Sequence, residues 1–341
     1  MSSTQIRLRP AIEQMSAKRR QTLALGAGVL ALPSTAIAQQ PQKLWRIGFL
    51  GVASAAGYVK EVAAIRAGLR DFGYEEGRNL QIELRWAEGS PDVLTRMAAE
   101  LVALKPDLIL THGIPGARAA TRATGSIPIV MADGGDPVAA GLVASFARPG
   151  GNLTGSSGFH GELTAKWLEL LKSAVPKITR VAVLTNAANP NLKLYIAHAQ
   201  QAARLLKLEL HEFSAGNSEE LAAAFAAMAR RRVDALAVLV DPVLNGHATL
   251  IGALSLKARL PSIGLRSLAE AGGLLAYGAL RLEVYRRAAY FADRIFKGAK
   301  PADLPVEQPT KFELVLNLKT AKALRLKIPY SLTLRATEVI E

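Results

Sequence analysis

The sequence predicts an α/β protein built as two doubly wound parallel-sheet lobes joined by a hinge, and three observations carry that reading. Short apolar runs alternate with amphipathic helical stretches along nearly the whole chain, the pattern of buried parallel strands covered by helices. The alternation runs once from Trp45 and restarts near Glu162, giving two series of similar size. The 341 residues are enough for two domains with substantial cores. Composition agrees: 50% of residues are apolar and only 6% aromatic, which suits such a fold better than a β-sandwich. Cysteine is absent, so disulfide scaffolds, thiolate metal sites, iron–sulfur clusters and cysteine nucleophiles are excluded together.

Residues 1–38 stand apart. A basic stretch ending in Lys18-Arg19-Arg20 precedes the apolar run Leu23–Leu32, and Ala36-Ile37-Ala38 follows. This is the order of a secretory signal, with cleavage expected after about Ala38 and a periplasmic destination. The apolar run falls well short of the roughly 20 residues that span a membrane. Arg19-Arg20-Gln21-Thr22-Leu23 also resembles a twin-arginine export signal. The formal charge is +14, and the signal carries five basic residues and one acid, so the mature chain keeps +10. A basic balance favours acidic partners in general. Here the basic residues are scattered apart from Arg230-Arg231-Arg232 and Arg286-Arg287, and aromatics do not interleave with them. With no helix-turn-helix or zinc-finger pattern, nucleic acid is not an expected partner.

The first series begins with a strand over Trp45–Leu50 and a small-residue loop over Gly51–Gly57. Val59–Phe72 is a helix with Val62, Ile65, Leu69 and Phe72 on one face, stopped by Gly73. Leu80–Trp86 is a strand, and Pro91–Leu104 a helix capped by Ser90. Leu108–Thr111 is a strand, Gly116–Thr124 a helix and Ile127–Met131 a strand. Gly134-Gly135 then make a loop, and Asp136-Pro137 reads as the N-cap and first residue of a short helix carrying Val138, Leu142, Val143 and Phe146. Arg148–Asn152 breaks that helix and leads into a further strand.

The second series has helices over Glu162–Val175, Asn189–Leu206, Ser218–Arg231 (with Ser218 as cap) and about Ala248–Arg259. Its strands are Val181–Thr185, Leu208–Phe213, Ala235–Val240, Ser262–Leu265 and Leu274–Tyr277. A helix over Leu282–Phe296, a late strand over Phe312–Leu316, a short helix and an extended tail complete the chain.

Catalytic signatures are missing. The loop Gly51-Val52-Ala53-Ser54 is wrongly spaced for a dinucleotide fingerprint, and no Walker lysine follows a glycine loop. Gly155-Ser156-Ser157-Gly158 is one residue short of a nucleophile elbow. The five histidines show no metal-site spacing, so neither a metal nor a cofactor is expected. Open α/β sheets bind ligands beyond the carboxyl ends of their strands. Polar residues there are therefore the candidates: Ser54, Thr111, His112 and Asp136 in the first lobe, Asn186, Asn189, Asp241 and Tyr277 in the second, with Ser157 between lobes. Each has a plainer reading. Asp136 and Asp241 suit helix caps as well as ligand contacts, Asn186 and Asn189 suit loop and cap positions, and His112 suits an ordinary loop. Tyr277 either lines a cleft or packs at a hinge. Trp45, Trp86 and Trp167 read as packing.

Several stretches together resemble one family. They are Gly73-Tyr74-x-Glu76-Gly77-x-Asn79, Arg85-Trp86-Ala87-Glu88-Gly89, Asp136-Pro137-Val138-x-x-Gly141-Leu142-Val143, Arg148-Pro149-Gly150-Gly151-Asn152-x-Thr154-Gly155, and the tail from Asp303-Leu304-Pro305-Val306 through Val315. These residues are similar to the ABC-transporter substrate-binding proteins of the tryptophan/tyrosine-type group, with the type I periplasmic-binding fold, over about Leu44–Glu341. The resemblance implies a periplasmic receptor that closes two lobes on a small solute and delivers it to a permease with a separate ATPase. Helix N-termini facing the cleft would favour a carboxylate, and Asp136 or Asp241 an amino group, so an amino acid or related carboxylate is the expected solute, bound by a monomer. The resemblance also implies three chain crossings. Lobe 1 would then hold residues 44–156 with part of 279–341, and lobe 2 residues 157–278 with part of 304–341. The chain departs from the family where Ala276-Tyr277-Gly278-Ala279-Leu280-Arg281-Leu282-Glu283 replaces small polar residues beside the hinge. Arg325 and Thr337 depart from the usual Gly and Asp. Two other readings compete: an exported enzyme using Asp136, His112 and Asp241 as acid–base groups, and a sensory ligand-binding subunit.

Overall fold

In the computed structural model, residues 43–158 and 160–341 are described, so the export-signal reading of residues 1–38 lies outside the described residues. Five parallel strands form the first sheet: β1 (Trp45–Gly51), β2 (Leu80–Trp86), β3 (Leu108–Thr111), β4 (Ile129–Gly134) and β5 (Leu153–Ser157), in the order β2-β1-β3-β4-β5. Strand periodicity sends alternate residues to opposite faces. Ile47, Phe49, Leu108 and Leu110 pack against helix α1 (Val59–Asp71), while Leu50 and Ile109 pack against α2 (Pro91–Ala103) and α3 (Gly113–Ala123). Helices on both faces explain why the central strands β1 and β3 are apolar along most of their length. In α2 the Ser90 hydroxyl accepts from the Val93 amide at 3.4 Å and Pro91 occupies the first turn, where its missing N–H costs nothing. Leu94, Ala98 and Leu101 then face inward at helical spacing.

The second series supplies α4 (His160–Ala174), β6 (Arg180–Thr185), α5 (Leu192–Leu206), β7 (Glu209–Ser214), α6 (Ser218–Arg231), β8 (Ala235–Val238), α7 (Pro242–Gly246), α8 (Ala248–Lys257), β9 (Ser262–Gly264), α9 (Arg266–Glu270) and β10 (Leu275–Ala279). After α10 (Arg281–Phe296) come β11 (Phe312–Asn317), α11 (Leu318–Ala323), α12 (Tyr330–Arg335) and β12 (Glu338–Ile340). The second sheet runs β12-β11-β10-β9-β8-β6-β7, parallel except where β11 pairs antiparallel to β10. Trp167 of α4 is fully buried in its core, and its indole N–H donates to the Tyr277 carbonyl at 2.6 Å.

The chain passes between the sheets three times. It leaves the first sheet after β5 and returns as α10, whose Tyr285, Ala288 and Phe291 pack into the first core beside α1. Glu307 then exchanges backbone hydrogen bonds with Gly155 and Ser157, at 2.9 and 2.8 Å, before the chain re-enters the second sheet as β11.

Three local expectations change. Residues 137–146 form consecutive turns, not a helix. Gly141 takes a left-handed φ of +68°, and Pro149 follows too soon for a helix to re-form. The cap of α6 is Asn217, whose side chain accepts from the Glu220 amide at 2.9 Å, and Ser218 is the first helical residue. The extended tail is partly a strand, because β12 pairs parallel with β11.

Both sheets wind outward from their first strand in two directions. Their switch points lie between β1 and β3 in one sheet and between β6 and β8 in the other. The loops leaving those four strands carry Val52, His112, Asn186 and Asp241, which is where doubly wound sheets take ligands.

Candidate functional site

Two adjoining spaces lie between the lobes at these loops, sharing Pro115 and Asp241 in their walls. The first is a narrow polar throat of about 20 Å³, little more than one water needs. From the first lobe Tyr58, His112, Asp133, Arg281 and Tyr285 line it; Asn189, Tyr195, Asp241 and Pro242 come from the second. The second is a chamber of about 420 Å³, within the range of small-molecule sites.

Arg281 dominates the throat. Its Nε donates to Glu61 at 2.8 Å, one terminal nitrogen to Asp133 at 3.2 Å and the other to the Tyr285 hydroxyl at 3.2 Å. The guanidinium also lies over the rings of Tyr58 and Tyr285, 5.2 and 4.9 Å from their centroids. Burial works against its charge, but Tyr285, Tyr58, Asp133 and Glu61 outweigh that and hold its pKa well above the ordinary value. The helix placing it begins at Arg281 itself, directly after β10, so the first side chain of α10 turns into the cleft.

His112 is buried, with its ring 4.2 Å from that of Tyr58, and its Nε2 accepts from the Val52 amide at 3.1 Å. Burial and then the nearby Arg281 charge lower its pKa to about 3. The folded protein therefore holds a neutral imidazole where the unfolded chain would take up a proton below about pH 6.5. The native pKa lies below the unfolded one, so this contribution is complete above about pH 6.5 and is lost as pH falls toward 3. We expect wild type to lose on the order of 1.4 kcal/mol per pH unit across that window relative to His112→Gln, which keeps an acceptor for Val52. Urea unfolding of both proteins at pH 7, 5.5 and 4.5 measures this, and parallel pH profiles would contradict it.

Asp241 closes the throat from the second lobe. It is buried and caps α7, accepting from the Val243 and Leu244 amides at 2.8 and 3.2 Å. The side-chain amides of Asn186 and Asn189 also donate to it, at 3.1 and 2.9 Å. Burial raises its pKa against these four donors. It thereby locks the loop after β6 to the loop after β8.

The lobes touch across the cleft. The Tyr58 hydroxyl donates to the Pro242 carbonyl at 3.0 Å, and Lys60 pairs with Glu270 at 3.0 Å on the rim. Gly57 and Gly246 approach so closely that a Cβ on Gly57 would sit 2.8 Å from the Gly246 Cα. A Cβ on Gly135 would meet the Tyr195 hydroxyl at 2.3 Å.

Of the residues singled out from sequence, His112, Asn186, Asn189 and Asp241 come together here. Thr111 and Ser157 are buried supports: the Thr111 hydroxyl donates to the Leu50 carbonyl at 2.9 Å, and Ser157 donates to the Gly135 carbonyl. Asp136 accepts from the Val138 and Ala139 amides, both at 2.9 Å, and caps a turn outside the lining of either space. Ser54 begins the short turn of helix at Ala55–Tyr58, also outside that lining. Tyr277 faces away and stacks on Phe312 at 5.9 Å, because β10 and β11 pair in antiparallel register there. Sequence reasoning missed Tyr58, Glu61, Asp133, Tyr195 and Tyr285; the only signal for Arg281 was an unusual charge beside the hinge. Among the described residues no group of three or more His, Asp and Glu could hold a metal ion, and no helix is long and apolar enough to cross a membrane.

Comparison with known proteins agrees with this architecture. Residues 46–340 match the family model described as ABC transporter substrate binding protein. A tyrosine-binding protein of Clostridioides difficile (strain R20291) is 30% identical over 257 residues, which is 75% of this chain and 74% of the relative. Among solved structures, an ABC domain from Streptococcus pneumoniae in complex with L-Trp superposes with a TM-score of 0.81 at 27% identity, over 87% of this chain and 100% of the other. A conserved domain protein from Vibrio cholerae gives 0.82 at 26%, with the same coverage.

Proposed function

The chain belongs to the ABC transporter substrate-binding protein family, and from that premise we propose that it is a periplasmic solute receptor of an ABC importer. It closes two lobes on a small organic solute, with an amino acid or related carboxylate favoured, and hands it unchanged to a membrane permease served by a separate ATPase. The observation that carries this reading is the cleft itself, whose walls come from the switch points of both sheets. A solute touching both walls binds the closed form better than the open one, and that difference is the signal a permease can read. The binding of tyrosine and L-Trp by the relatives supports the ligand class. We assign ligand contact to Asn186 and Asp241 in the chamber wall, a place in the throat wall to His112, loop positioning to Thr111 and Ser157, and local support to Ser54, Asp136 and Tyr277. The lobes in this reading are 44–156 with part of 279–341 and 157–278 with part of 304–341, following removal of residues 1–38 by export processing.

Thermal-shift screening of the mature protein against amino acids, carboxylates and sugars tests the ligand class. A bound solute at a hundred times its Kd should add about 2.7 kcal/mol of stability. A shift with sugars alone would overturn the class. Mass spectrometry of the solute after long incubation should return it intact; conversion would favour the enzyme reading.

A further inference from the structure

The chamber beside the throat carries an inference that rests on the receptor reading and names its solute class more narrowly. Its apolar wall comes from Val52 and Leu94 of the first lobe and Val243 of the second, so an occupant would bridge both lobes. Its cationic wall is one face of α3, where Arg118 and Arg122 stand four residues apart, the spacing that puts two side chains on the same face. Neither guanidinium is in an ion pair with a described residue, whereas Arg281 in the throat is held by two carboxylates. Arg118 donates once, to the Ala140 carbonyl at 3.1 Å, and its Nε is buried without a partner. The terminal nitrogens of an arginine fork fit a carboxylate. The acid in the chamber wall, Asp241, is already held by two side-chain amides and two backbone amides, so it has little capacity left for a ligand ammonium. In the throat Glu61 and Asp133 are engaged by Arg281.

We propose that the chamber takes an organic monocarboxylate with an apolar body and no required ammonium group, its carboxylate on Arg118 and Arg122 and its body between Leu94 and Val243. The two functions divide the walls: charge recognition belongs to the first lobe, and the apolar contact that rewards closure spans both. An amino acid with the same apolar body gains nothing from its ammonium group here, and must desolvate it.

Calorimetric titration of the mature protein with 3-phenylpropanoate, its primary amide and L-phenylalanine tests this, alongside Arg118→Gln and Arg122→Gln. The acid should bind at least about tenfold more tightly than the amide, and each variant should erode that preference about tenfold while leaving amide binding unchanged. Arg122 is exposed, so its replacement does not threaten folding. Equal binding of acid and amide, tighter binding of L-phenylalanine than of 3-phenylpropanoate, no binding of 3-phenylpropanoate, or full retention of acid binding in both variants would each overturn the inference. The receptor reading fails separately, only if no small solute of any class closes the lobes.

Discussion

Replacing Arg281 with methionine is expected to destabilise the protein by about 3–5 kcal/mol, the range seen when one partner of a buried ion pair is removed. Glu61 is 8% exposed, and Arg281 is its ion-pair partner within the first lobe. Without the guanidinium the Glu61 carboxylate stays buried with no counter-charge, and Asp133, which shares the same cation, adds like charge nearby. Methionine keeps much of the volume, so the loss is electrostatic and not a cavity. The double variant Glu61→Gln/Arg281→Met should therefore recover much of the stability, since neutral groups tolerate burial better. Urea unfolding followed by tryptophan fluorescence reads both. A single variant within about 1 kcal/mol of wild type would mean that water screens the cluster and the throat is not a sealed electrostatic centre.

Gly57→Val should leave the stability of each lobe nearly intact yet hold the lobes apart. The glycine lies on the turn before α1 with its Cα facing Gly246 of α7 in the other lobe, and any Cβ there would overlap backbone, which cannot swing aside as a side chain can. Accommodating it requires the lobes to separate, and contacts such as Tyr58 to Pro242 would break. A solute whose affinity depends on both walls loses the second wall, so its binding should weaken by at least about a hundredfold, as expected when the competent form becomes rare. Unchanged affinity in Gly57→Val would place recognition on one lobe only.

The fold was legible because its signals are local and repeated. Pro91 after Ser90, Leu94-x-x-x-Ala98-x-x-Leu101 and the continuous run Leu108–Thr111 each specify an element without tertiary help. The site was legible where it uses the same grammar. Asp241-Pro242 after β8 caps a real helix and carries two asparagines with it. Asp136-Pro137 has identical local chemistry, but Gly141 turns the chain out of helix, so the aspartate caps a turn. The residues downstream of each proline decide between turn and helix, Gly141 in one case and Leu244 in the other. Tyr277 shows a different limit: which side of β10 its ring occupies, and its stacking on Phe312, depend on the antiparallel register with β11, a strand distant in sequence. Arg281 shows a third. Its charge was visible as a departure, but its depth comes from α10 returning to the first lobe, and a buried arginine is legible only once Glu61 and Asp133 are known to face it. Tyr58 lay beside what read as a plain small-residue loop.

A receptor closes its two lobes on a solute and releases that solute unchanged, and both events can be watched at once. The natural chain contains no cysteine, so labels can be confined to two introduced positions on opposite rims, Lys60→Cys and Glu270→Cys, whose native side chains meet at 3.0 Å in the closed arrangement. Single-molecule energy transfer between them, read during titration with amino acids and monocarboxylates, measures the closure directly. An open population should give way to the closed distance as a matching solute is added, a response absent in Gly57→Val, and the solute should be recovered intact. A distance indifferent to every solute, or closure accompanied by conversion of the solute, would contradict the receptor reading.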